Sequence, residues 1–251
     1  MKSLLQSAAV FSISLFLLAS TARAGAITIV NAGFENDLSR VPNAGDYITN
    51  RQTTPNSQPF INGWTVLDVT ADSTGPIHLL PGTMISSIYH DSVEGSVAAA
   101  SNGNTIFQVL ADVLMPNTIY TLSMQVGHRL DVQEQGYFFE LDAGTDFASR
   151  TILARSSTDP GNPSINSPNA TDITFAKYIG FFTPVSLTFT TGANPTGLGK
   201  PLLIAFGVPA VQTLFDDVHL DASPVGGGIP EPGSMSLLAL GGVFVAYLKR
   251  K

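Results

Sequence analysis

The sequence has no cysteine, one tryptophan and little charge. Without Cys there is no disulfide framework, no thiolate zinc site and no Cys nucleophile. Only 12% of its 251 residues are charged, about half the ~25% usual in soluble domains. The net charge is -7. Phosphate contacts need clustered Lys and Arg, so a nucleic-acid partner is excluded. Sixteen Pro and 23 Gly leave little room for long helices. No G-x-S-x-G elbow, H-E-x-x-H, P-loop or G-x-G-x-x-G occurs. The four His residues, His78, His90, His128 and His219, lack metal-ligand spacing. The reading is therefore a non-enzymatic protein with no catalytic residue.

What is present begins at the ends. Met1-Lys2 precedes an apolar run from Leu4 to Ala19, and Ala22-Arg23-Ala24 follows. A basic start, a short apolar stretch and an A-x-A ending predict a signal peptide over 1–24, cut by signal peptidase after Ala24. Residues 223–229 form a Pro/Gly linker. Pro230-Glu231-Pro232 comes next, then an uncharged apolar run over 234–248, then Lys249-Arg250-Lys251. That run is short for a membrane span, though tilt and snorkelling of the basic end can bridge the gap. By the positive-inside rule the basic end stays cytoplasmic, which agrees with an N-terminal export signal.

This C-terminal layout resembles the PEP-CTERM sorting signal of bacterial envelope proteins. The resemblance implies transient anchoring in the inner membrane and processing by an exosortase, and it places the chain at the cell envelope or biofilm matrix. The two ends hold five of the twelve basic residues and one of the nineteen acidic ones. The exported middle, 25–228, thus carries 7 basic and 18 acidic residues, a net charge of -11. Acidic excess favours solubility and cation binding.

The middle alternates in period two between turn signals. Strands are expected at 27–30, 64–69, 97–100, 105–110, 118–126, 136–141, 178–190, 202–206 and 213–220. Asn102-Gly103 marks a hairpin. Residues 36–59 and 156–172 are polar, turn-rich and read as long loops. The expectation is one all-β domain over 25–222, a jelly-roll β-sandwich.

Three fragments carry a second resemblance: Asn31-Ala32-Gly33-Phe34-Glu35, Ile61-Asn62-Gly63-Trp64 and Phe215-Asp216-Asp217-Val218-His219-Leu220. Their order resembles the galactose-binding-like jelly roll shared by many carbohydrate-binding modules. The resemblance implies a structural calcium ion (Ca2+) held by Glu35 and Asp216 with nearby carbonyls. Such an ion would staple the first and last strands. Leu214, Asp216, Val218 and Leu220 share one face of the last strand, which favours Asp216 over Asp217 as the inward acid.

Sugar-binding modules stack aromatic rings on pyranosides. Tyr89 and Tyr137 are the candidates for that role, whereas Trp64 reads as core. Glu140 and Asp142 share a strand face and read as solvated carboxylates; an acid–base role would need a cleft. The expected function is polysaccharide or surface-partner binding. The alternatives are a purely structural surface protein and, last, a secreted hydrolase.

Overall fold

The computed structural model describes residues 25–43, 45–48, 61–67, 74–79, 94–127, 136–159, 161–167, 180–209 and 212–226. Among these residues, eleven strands form two antiparallel sheets. They are β1 (Gly25–Ala26), β2 (Thr65–Leu67), β3 (Gly75–His78), β4 (Val97–Ser101), β5 (Thr105–Val113) and β6 (Thr118–Gly127). Then come β7 (Phe138–Ala143), β8 (Thr151–Ser157), β9 (Phe182–Thr190), β10 (Pro201–Gly207) and β11 (Thr213–Pro224). The larger sheet runs β3-β4-β11-β6-β9, with β1 also paired to β11. The five-stranded sheet runs β2-β5-β10-β7-β8. This is the expected jelly-roll sandwich.

Alternation decides which side chains fill the space between the sheets. On β10, Leu202, Ile204 and Phe206 enter the main core; on β11, Phe215, Val218 and Leu220 meet them. Phe206 and Phe215 lie 4.6 Å apart, and Trp64 packs edge-on against Phe206 at 5.1 Å. Trp64 is buried, as its position after Asn62-Gly63 suggested, and its Nε1 donates to the Asn31 carbonyl at 3.1 Å.

The strand expected at 27–30 is instead β1 at Gly25–Ala26, and two further strands escaped the sequence reading for physical reasons. β3 contains Pro76, which lacks an N–H; it lies at the edge of the larger sheet, where that loss is tolerated. β8 is broken by a bulge opposite Leu141 and Asp142 and carries Arg155 and serines at buried positions, which erases its alternation. The expected loops are also corrected. Residues Glu35–Arg40 form a 3-10 turn with Asp37 buried, and Ser156 and Ser157 belong to β8. Among the described residues no helix is long and apolar enough to cross a membrane. The expected membrane segment 234–248 lies outside them.

Candidate functional site

Glu35 and Asp216 do meet, on one short segment. Phe34 takes a left-handed conformation, φ 59°, and turns Glu35 towards the start of β4. Glu35 Oε1 accepts from the N–H groups of Ser96 at 2.7 Å and Val97 at 2.6 Å. Asp216 Oδ2 accepts from the Glu94 N–H at 3.2 Å, and its Oδ1 from the Asp217 N–H at 2.8 Å. A β-bulge after Asp216, with Asp217 at φ 52°, separates the two acids. Asp216 is buried, whereas Asp217 turns outward to His219, 2.5 Å away. Gly95 has φ 58°, and a Cβ there would collide with the Glu35 carboxylate. Gly33 is pressed in the same way by the Glu94 carboxylate. Burial pushes the Asp216 carboxyl up to about 8, and the nearby charges of Glu94 and Asp217 add to the rise. Among the described residues no three His, Asp or Glu side chains gather closely enough to hold a metal. A cation here would rest on two carboxylates and backbone carbonyls.

The aromatic candidates fare differently. Tyr137 is fully buried, parallel to Phe139 at 6.4 Å and edge-on to Phe215 at 6.3 Å. It precedes β7 and turns into the core, so it offers no surface for a sugar ring. Tyr89 lies outside the described residues. So do Ala22 and Ala24 and the sorting residues Pro230, Glu231, Pro232, Lys249, Arg250 and Lys251.

A second site stands on the outer face of the five-stranded sheet. Phe139, Leu141 and Ala143 of β7 face the core, so Phe138, Glu140 and Asp142 face away from it. Those two acids are nevertheless fully buried, which corrects the solvated reading. The turn between β7 and β8 folds back over them. Its Phe147 ring packs 5.4 Å from Phe107 of β5, and the Arg150 guanidinium stacks 3.4 Å over Phe147. Arg155, in register with Glu140, closes the other side.

Both guanidinia go to one acid. Glu140 Oε1 takes Arg150 Nε at 2.8 Å and Nη2 at 2.7 Å. Its Oε2 takes Arg155 Nε and Nη2, each at 2.6 Å. Arg150 Nε also passes 2.9 Å from Asp142 Oδ2, but the N–H is aimed at Glu140. Neither Asp142 oxygen accepts a hydrogen bond. Burial therefore dominates, and with the Glu140 charge beside it the Asp142 carboxyl is pushed up to about 9. The site is thus a buried carboxyl whose pKa is raised, beside the Glu140 carboxylate and 2.9 Å from the Arg150 guanidinium that serves it.

The sequence reading placed Glu140 and Asp142 on one face but missed Arg150 and Arg155. A signal existed: the acidic middle has only seven basic residues, and three of them, Arg129, Arg150 and Arg155, lie within fifteen residues of Glu140.

Comparison with known proteins fits an enzyme. The HpiC1-like family model, described as HpiC1 cyclase, matches residues 25–221. A PEP-CTERM protein-sorting model matches residues 228–251. An apo-form cyclase from Fischerella sp. superposes with a TM-score of 0.60 at 25% identity, over 81% of this chain and 98% of that one. A cyclase from Fischerella sp. TAU in complex with 4-(1H-indol-3-yl)butan-2-one gives 0.58 at 25% identity, over 81% and 100%. A CBM4 structure is also similar, at 0.41 and 12% identity, over 78% and 100%. No curated protein matches the chain. The sorting motif marks the chain for export to the cell envelope and for processing by an exosortase. The cyclase family and the cyclase structures overturn the expectation of a non-enzymatic protein. That expectation rested on the absence of nucleophile and metal motifs, and proton-transfer chemistry needs neither.

Proposed function

The chain belongs to the HpiC1-like cyclase family, and we infer that it is an exported cyclase whose proton donor is Asp142. One observation carries this reading: two guanidinia both serve Glu140, which leaves Asp142 buried with no hydrogen bond to either oxygen. An ionised carboxylate in that position costs several kcal/mol. A carboxylic acid costs far less, and at neutral pH it is a proton waiting for a base. Ring closure by this route is an isomerisation. The Asp142 proton adds to an unsaturated substrate, the cation is captured by a second π-bond, and loss of a proton returns the acid. Phe147 and Phe138 already carry the Arg150 and Arg155 guanidinia over one face each, so Phe107 and the faces uncovered when the turn lifts would meet a passing cation. The Phe147–Arg150 turn excludes water from it and must lift to admit substrate.

The cyclase with 4-(1H-indol-3-yl)butan-2-one bound suggests an aromatic, uncharged ligand for this chain, which the reading places on this face. Titration of the exported chain with that compound, followed by NMR, tests the reading. Shifts at Phe138, Phe147 and Asp142 are expected, lost in Phe147→Ala. No binding, or binding mapped to another face, contradicts it.

Two further points belong to this reading. Glu35 and Asp216 fit a structural calcium ion, because a half-buried and a buried acid both reach the 94–97 segment with no Lys or Arg to neutralise them among the contacts described. Calcium takes 6–8 oxygens, so carbonyls of the surrounding turns complete its shell. Cleavage after Ala24 would leave Gly25 as the first residue, which is also the first residue of β1. Residues 234–248 would anchor the chain until the exosortase acts.

A further inference from the structure

A cavity of about 360 Å³ opens on the flank of the sandwich, between edge strands β8 and β9. Neither buried acid site described above contributes a side chain to it. We propose that this cavity binds a neutral saccharide unit, through the Phe189 ring and a rim of hydroxyl and amide groups.

The lining decides the ligand class. No charged side chain lines the cavity, so neither an anion nor a cation finds a counter-charge. The apolar lining comes from Ile152, Leu153, Pro195 and Phe189; Phe189 also packs against the main core. Thr151, Thr190, Thr196 and Asn166 supply polar atoms around it. An aromatic ring among hydroxyl and amide groups suits a molecule with an apolar face and many hydroxyls, which describes a pyranose. The volume lies within the ~300–1,000 Å³ of small-molecule sites.

Both walls are held in place before any ligand arrives. On one side, Arg155 and Ile165 exchange backbone hydrogen bonds at 2.7 and 2.9 Å, and Asn166 Nδ2 donates to the Leu153 carbonyl at 2.9 Å. On the other, the Thr191 hydroxyl donates to the Met115 carbonyl and accepts from the Thr118 N–H, each at 2.8 Å. The Gly192 carbonyl accepts from the Asn117 N–H at 2.9 Å. A preformed cavity loses little entropy on binding.

Gly192 also supplies a clean test. It lines the cavity, and a Cβ there meets nothing within 4 Å. Gly192→Trp can therefore fill the opening without disturbing a packed neighbour. The probes are the methyl glycosides of glucose, galactose, mannose and rhamnose, followed by saturation-transfer NMR on the exported chain. At least one is expected to bind wild type. Gly192→Trp is expected to abolish that binding with an unchanged melting temperature, and Phe189→Ala to weaken it at least tenfold. The proposal is overturned if no glycoside binds or if binding survives Gly192→Trp. It is also overturned if Gly192→Trp blocks only 4-(1H-indol-3-yl)butan-2-one, which would give the cavity to the cyclase reaction. Loss of indole binding in Phe147→Ala with glycoside binding retained would keep the two sites separate.

Discussion

Asp142 and Asp216 are both buried aspartates at strand positions, and burial raises both. Their neighbours differ. Asp142 has two arginines within reach, yet both are taken by Glu140. Asp216 has none in contact; it receives two backbone N–H groups and faces the charge of Glu94. The first environment leaves a carboxyl whose cheapest state is to keep its proton. The second also raises the carboxyl, but its two backbone N–H donors favour ionisation, so a divalent cation would complete a carboxylate there. Burial alone thus does not assign a role to an acid. What its neighbours have left to give decides between proton donor and metal ligand.

The largest expected effect breaks the Asp142 side of this comparison. Glu140→Gln leaves two buried guanidinia without their carboxylate and should cost about 3–5 kcal/mol in denaturant unfolding. In that variant Asp142 becomes the acid beside Arg150 and Arg155, so its titration should move down. Calcium sharpens the Asp216 side. At a hundredfold excess over its dissociation constant, calcium should stabilise wild type by about 2.7 kcal/mol, and Asp216→Asn should remove most of that gain. An unchanged melting temperature on chelation counts against the site.

The pH dependence separates the two acids next. In the metal-free protein the folded state keeps protons that the unfolded chain has released above pH ~4. Stability should then fall as pH rises, up to about 8 for Asp216 and about 9 for Asp142. Each group contributes a slope of at most about 1.4 kcal/mol per pH unit. Calcium should erase the Asp216 part and leave the Asp142 part. The smallest effect is on the stability of Asp142→Asn, within about 1 kcal/mol of wild type, because an amide resembles the protonated acid. Its turnover on a cyclisable substrate should nonetheless fall by roughly 10²–10⁴-fold.

Much of the fold was legible because alternation is local. β5, β6, β10 and β11 announce themselves by period two, but Asp216 does not share one face with Leu214, Val218 and Leu220 as expected: the bulge after it shifts the register, so Leu214 joins the smaller cluster while Phe215, Val218 and Leu220 fill the main core. The meeting of Glu35 with the 94–97 segment was implied only by a resemblance, since no local pattern links residues sixty apart. The Asp142 site was misread for a related reason. An outward position on a strand normally means solvent, but here the β7–β8 turn returns to cover its own sheet. Phe147 and Arg150, which do the covering, belong to no periodic element. The aromatic candidate Tyr137 failed because it lies just before β7, where the chain turns inward.

The central claim is that Asp142 carries a proton at neutral pH. Carboxyl-carbon NMR of the exported chain, labelled at aspartate and assigned by comparison with Asp142→Asn, reads that directly. The account predicts a carboxylic-acid resonance at pH 7 that titrates near 9. An Asp142 resonance already ionised at pH 7, with an ordinary carboxylate titration, would contradict it.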